Sequence, residues 1–125
     1  MQSQLLLEPE DHDDAIQAVY CYYVEVIPPE GGLRRTALSD DEDLIIGRSS
    51  RQCRLLLDDS LISRVHLRIS RPSGQQVRVT DLYSANGSKL DGHRLQPGMP
   101  MTWLINQPIV IGRTHLILRY GIFEE

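Results

Sequence analysis

The feature that most constrains this chain is a succession of short strand-forming runs, each closed by a turn signal, with no helix-period segment between them. From Val19 onward the runs are "VYCYYVEVI", "RRTAL", "DLIIGR", "CRLLL", "RVHLRIS", "QVRVTDL", "SKL", "HRL", "MTWLI", "PIVIG" and "THLILRY". Many short strands with Gly, Pro, Asn and Asp between them predict an all-β antiparallel sandwich or barrel rather than βαβ units. Alternation predicts one buried face for Val65, Leu67 and Ile69, and another for Val77, Val79 and Asp81. The pairs Asn86-Gly87 and Asp91-Gly92 predict type I′ turns, in which both central residues take positive φ.

A length of 125 residues suits one domain, because one core of this size buries most of its apolar surface while two would each be marginal. Residues 1–18 are polar and acidic and are expected to form a tail or a short appended helix, with Asp13 or Asp14 as N-cap of "DDAIQAV". The domain proper is expected at 19–125. Five of the seventeen acids (Glu8, Glu10, Asp11, Asp13 and Asp14) lie in the tail, which leaves twelve against thirteen basic residues in the domain. That balance implies neither a nucleic-acid stripe nor a basic membrane face, so no nucleic-acid partner and no membrane insertion are expected.

Cys21 and Cys53 stand without a CxxC pair or a nearby histidine and read as reduced structural thiols. No apolar run has the length of a membrane span, and "QSQLLLEPE" is too short and uncharged for a signal peptide; a cytoplasmic protein is expected. The "SDDED" cluster at Ser39 to Asp43 lacks the spacing of a calcium loop and reads as a solvated loop. Neither metal nor cofactor is expected.

Three polar features interrupt the strand pattern: "GRSS" at Gly47 to Ser50, "SRVH" at Ser63 to His66, and "SANGSKLDG" at Ser84 to Gly92. Singly, each has an ordinary reading as surface arginine, turn serine, packing histidine or turn asparagine. In this order and spacing they carry a resemblance. "LIIGRS", "DDSLISRVHLRI" and "TDLYSANGSKLDGHRL", followed by "VIGRTHLILRY", are similar to the signature of the forkhead-associated (FHA) family from about Tyr22 to Tyr120.

The resemblance implies a SMAD/FHA-like β-sandwich of about eleven strands, whose loops at one end recognise a phosphothreonine segment of a partner protein. By that analogy Arg48 and Ser63 hold the phosphate, Arg64 touches phosphate or peptide, Asn86 bonds the peptide backbone, and Ser88 adds a hydroxyl. Gly47, His66 and Gly87 support the loops, while Leu61 and Lys89 tune sequence preference. The chemistry agrees with this division: a phosphate with nearly two charges and three acceptor oxygens wants charge-assisted donors from several directions.

One departure from the family pattern stands out. Ala85 occupies a position where the family commonly has Ser or Thr, and losing such a charge-assisted bond costs about 1.5 to 3 kcal/mol unless Ser84 or Ser88 compensates. Asp91 also replaces the usual second Asn. The alternative is therefore a phosphate-independent FHA-like interaction module of a larger bacterial assembly. A hydrolase built on Ser63 and His66 is disfavoured, since a spacing of three in a strand sends the two side chains to opposite faces and no acid is placed to orient the histidine. Self-inhibition through a tail phosphothreonine is disfavoured as well: the tail has Ser3 but no threonine, and Thr36, Thr80, Thr102 and Thr114 lie in predicted strands.

Overall fold

The computed structural model describes Ala18 to Glu124, so the expected tail helix and its capping aspartates lie outside the described residues. Each of the eleven runs contains a strand: β1 (Ala18–Ile27), β2 (Arg34–Ala37), β3 (Leu44–Gly47), β4 (Leu55–Leu56), β5 (Leu67–Ser70), β6 (Arg78–Asp81), β7 (Ser88–Leu90), β8 (His93–Arg94), β9 (Met101–Thr102), β10 (Pro108–Ile111) and β11 (Thr114–Glu124). They form a six-stranded sheet, β2-β1-β11-β10-β7-β8, facing a five-stranded sheet, β4-β3-β5-β6-β9. The domain is a β-sandwich of the expected class. All pairings are antiparallel except that of β3 with β4.

The core follows from period-two alternation. Val24 and Val26 of β1 stand opposite Leu118 and Leu116 of β11, and with Ile109 and Ile111 they present one sheet's inner face. Leu44, Ile46, Leu67, Ile69, Val77 and Val79 present the other. Each such side chain contributes about 1.5 to 3 kcal/mol on full burial. Trp103 is buried among them, and its indole N–H donates to the Gln107 carbonyl at 2.9 Å, so that burial strands no donor.

Beyond the stretches paired with β2 and β10, β1 and β11 continue as a two-stranded ribbon to the Ala18–Glu124 pair. The acids of the expected solvated loop are engaged with neighbours. Asp40 pairs with Arg71, Glu42 with Arg54 and Asp43 with Arg68, and Asp41 accepts the Ser73 amide at 2.8 Å. Among the described residues no helix is long and apolar enough to cross a membrane.

Two expectations about local structure are corrected. The run "RVHLRIS" becomes a strand only at Leu67; Ser63 to His66 is an irregular segment, and His66 turns fully into the interior. Asn86-Gly87 is not a type I′ hairpin, because Gly87 takes positive φ (84°) while Asn86 does not. The reason is topological. β6 belongs to the five-stranded sheet and β7 to the six-stranded one, so residues 82–87 cross between sheets instead of joining paired strands. Asp91-Gly92, which does join the paired β7 and β8, has both residues at positive φ (51° and 83°) as expected.

Candidate functional site

Three loops meet at one end of the sandwich: the β3–β4 loop with Arg48, the β4–β5 loop with Ser63 and Arg64, and the β6–β7 crossing with Asn86. The first two are held by ladder bonds that run on past the strands. Arg48 N–H donates to Ser63 O at 3.1 Å, Ser49 N–H to Arg64 O at 3.0 Å, and His66 N–H to Ile46 O at 2.9 Å. This close passage explains Gly47. A Cβ there would lie on the Arg64 carbonyl oxygen, 2.8 Å from its carbon and 2.9 Å from Ser63 O. Only glycine lets these two backbones approach so closely.

His66 ties the second loop to the third. Its Nδ1 accepts the Ser63 N–H at 3.0 Å, so Nε2 carries the ring hydrogen and donates it to Gly87 O at 3.0 Å. Burial holds the imidazole pKa below its ordinary 6.5, outweighing the raising effects of the Gly87 carbonyl and of the Asp81 carboxylate 3.9 Å away. The neutral ring is the form that fits. Both nitrogens being engaged with backbone, neither serves Ser63 Oγ, whose partner among the described residues is the Ala85 amide. The expected opposite-face separation of Ser63 and His66 is thus replaced by backbone contact, still without a nucleophile–base bond.

Two buried carboxylates organise the loops. Asp81 accepts the hydroxyls of Ser84 and Ser88, each at 2.6 Å, and the Ser84 amide at 3.1 Å. Burial acts to raise its pKa, but those hydrogen bonds prevail and keep it below the ordinary value. Asp59 accepts Leu61 N–H at 3.0 Å, Arg113 N–H at 2.7 Å and the Thr114 hydroxyl at 2.9 Å. Burial again works against ionisation and the donated hydrogens overcome it. Asp59 thereby fastens the β4–β5 loop to the turn between β10 and β11. Neither role was read from the sequence; for Asp81 the signal was an acid at an inward position of an alternating strand.

The groups facing outward are those expected to meet ligand, with one exception. Arg48 is exposed; its Nε donates to Ile62 O, and its terminal nitrogens have no partner among the described residues. Ser63 Oγ accepts the Ala85 N–H at 2.9 Å and so keeps its own hydrogen to give. Asn86 Nδ2 donates to Leu61 O at 2.9 Å, which leaves Oδ1 as an outward acceptor. Arg64, Leu61 and Lys89 are exposed around these. Ser88 is the exception and a correction: it is 1% exposed and gives its hydrogen to Asp81, so it reaches no ligand and cannot stand in for Ala85. Ser84, half-buried, also gives its hydrogen to Asp81 while accepting Gly87 N–H at 3.0 Å.

The FHA domain family model matches residues 44–112, more than half of the chain and all three loops. The chain belongs to the FHA family. Among solved structures, the FHA domain of CT664 from Chlamydia trachomatis has a TM-score of 0.71 at 25% identity, over 78% of this chain and 94% of that one. An FHA domain studied for phosphothreonine-dependent interactions gives 0.65 at 29% identity, over 78% and 95%. The FhaA FHA domain complexed with the intracellular domain of Rv3910 gives 0.67 at 26%, over 78% and 99%. Comparison with curated proteins returned no match. The matched span of this FHA domain begins at β3 and ends at Gly112, so the β1–β11 ribbon lies outside it.

Proposed function

We propose that this FHA domain binds phosphothreonine-containing segments of partner proteins and serves as a recognition module without catalytic chemistry of its own. One observation carries the reading: the terminal nitrogens of Arg48 and the hydroxyl hydrogen of Ser63, without partners among the described residues, stand on adjacent loops whose backbones are bonded to each other at 3.1 Å. A dianionic phosphate is the ligand that uses a charged planar donor and a short neutral one together. Arg64 adds a second cation, Asn86 Oδ1 accepts a hydrogen from an extended ligand's main chain, and Leu61 and Lys89 meet its flanking residues. The two similar FHA structures that concern phosphothreonine-dependent interactions and a bound partner domain support the reading by analogy.

Isothermal titration of matched phosphothreonine and unmodified peptides tests this. Selective binding of the phosphorylated member, lost in Arg48→Ala with the fold retained, is the expected result. Equal binding of both members, or none across a diverse phosphopeptide library, would sink it. A phosphate-independent interaction module is the second reading, favoured by Ala85, which supplies no hydroxyl at the site. Its mark would be partner capture that phosphatase treatment leaves unchanged.

A further inference from the structure

Six arginines, Arg35, Arg54, Arg68, Arg71, Arg113 and Arg119, are paired with carboxylates. Of the arginines without a carboxylate partner among the described residues, Arg34 and Arg48 line one groove of 310 Å³ together with Leu56, Leu57 and Asp58. Arg34 belongs to β2, an edge of the six-stranded sheet, and Leu56 to β4, an edge of the five-stranded one. Arg34 Nη2 donates to Leu56 O at 3.2 Å, which holds the guanidinium across the gap between the sheets and leaves its other nitrogens without partners among the described residues. Two unneutralised guanidinium groups against one carboxylate make the groove a net cationic extension of the Arg48 position.

We propose that Arg34, beside the Arg48 that meets the phosphothreonine phosphate, forms a second anion subsite that selects, among phosphothreonine segments, those carrying an acidic or phosphorylated side chain close to the phosphothreonine. This rests on the phosphothreonine reading above and adds sequence preference to it. A planar guanidinium fixed at one nitrogen presents its remaining donors with little further loss of rotamer freedom, which suits carboxylate and phosphate oxygens alike. The exposed side chain of Leu56 offers apolar contact to the ligand's methylenes. Asp58 opposes an anion in the same groove, so its neutralisation should tighten binding of the preferred ligand.

Fluorescence anisotropy decides the matter with three phosphothreonine peptide sets: neutral flanks, one Asp or Glu walked through each flanking position, and one phosphoserine walked likewise. Wild-type protein should gain about three- to tenfold in affinity at one flanking position in at least one anionic set. Whether the carboxylate or the phosphoserine set gains names the source of the anion. Arg34→Gln should erase that gain while leaving the neutral peptide's affinity unchanged, Arg34→Lys should keep part of it, and Asp58→Asn should enlarge it. Absence of any gain, or equal weakening of neutral and anionic peptides by Arg34→Gln, overturns the subsite while leaving phosphothreonine recognition standing. Failure of wild-type protein to bind any phosphothreonine peptide overturns both.

Discussion

The hydroxyl of Ser63 accepts the amide hydrogen of Ala85 at 2.9 Å, joining two loops at the position where the family resemblance leads one to expect a hydroxyl. The backbone at residue 85 is therefore already drawn into the site, and only the side chain is short. Ala85→Thr should restore a donor without repacking, because residue 85 is exposed. A charge-assisted bond of about 1.5 to 3 kcal/mol corresponds to roughly tenfold to hundredfold tighter binding of a phosphothreonine peptide. Titration of the two proteins with the same peptide checks this, and unchanged affinity would mean that residue 85 does not face the phosphate.

Ser63→Ala removes the hydrogen offered to phosphate and the acceptor of the Ala85 amide together. Peptide affinity should fall by about tenfold or more, while stability falls by about 1 kcal/mol or less, since water can reach the exposed loop. Urea melts beside peptide titrations separate the two effects. A stability loss large enough to account for the binding loss would assign Ser63 a structural role only.

Gly47→Ala should be among the most damaging small substitutions. The added methyl falls on main-chain atoms of Ser63 and Arg64, which cannot swing aside as a side chain would. Forcing β3 away from that segment costs about 1 to 3 kcal/mol. Arg48 and Ser63 should separate as well, so binding is expected to weaken even where the protein remains folded, as monitored by the tryptophan fluorescence of Trp103.

Stability should depend on pH in two stages. His66 has a folded pKa below its ordinary 6.5; its contribution is complete above that value and is lost as pH falls from there through the folded value. Asp59 and Asp81 lie below their ordinary 3.8, so theirs is complete above that value and is lost on further acidification. Urea midpoints measured from pH 8 down to 3 should thus decline first across mildly acidic pH and again below about 4. A His66→Gln variant should flatten the first decline and leave the second; persistence of the full first decline would remove His66 as its source.

Asp59→Asn should lower stability by about 1 to 3 kcal/mol, because a carboxylate that receives three hydrogens becomes a neutral amide able to accept at one atom only. Hydrogen exchange should quicken first at the Leu61 and Arg113 amides, which donate to it. Protection unchanged at Arg113 would refute this fastening of the β4–β5 loop to the β10–β11 turn.

The strands were legible because turn residues separate them and β-branched residues recur in the longer ones. That Arg48, Ser63 and Asn86 stand on loops rather than within strands was legible through the order of the motifs. Local reading failed where long-range contacts decide. Ser63 to His66 keeps strand-like backbone bonds to β3 and the two residues that follow it, so the alternation of Val65 with Leu67 looks continuous although the histidine side chain turns inward. The family resemblance implies a ligand hydroxyl at Ser88, yet Ser88 shares a strand face with buried Leu90, and that alternation turns it inward. The Asp59 contacts to Arg113 and Thr114 span more than fifty residues and left no local mark.

The ribbon formed by β1 and β11 sets where this module can be held. Ile27 pairs with His115 beside the Asp59 turn, whereas Ala18 pairs with Glu124 at the other extremity, roughly 30 Å away at the usual rise per strand residue. The Ala18–Glu124 end of the ribbon thus brings both strands out side by side, remote from the loops that carry Arg48, Ser63 and Asn86. A biosensor tether or a fused reporter joined at either extremity should leave capture unobstructed, and the sandwich could be spliced into a surface loop of a host protein with its mouth facing outward.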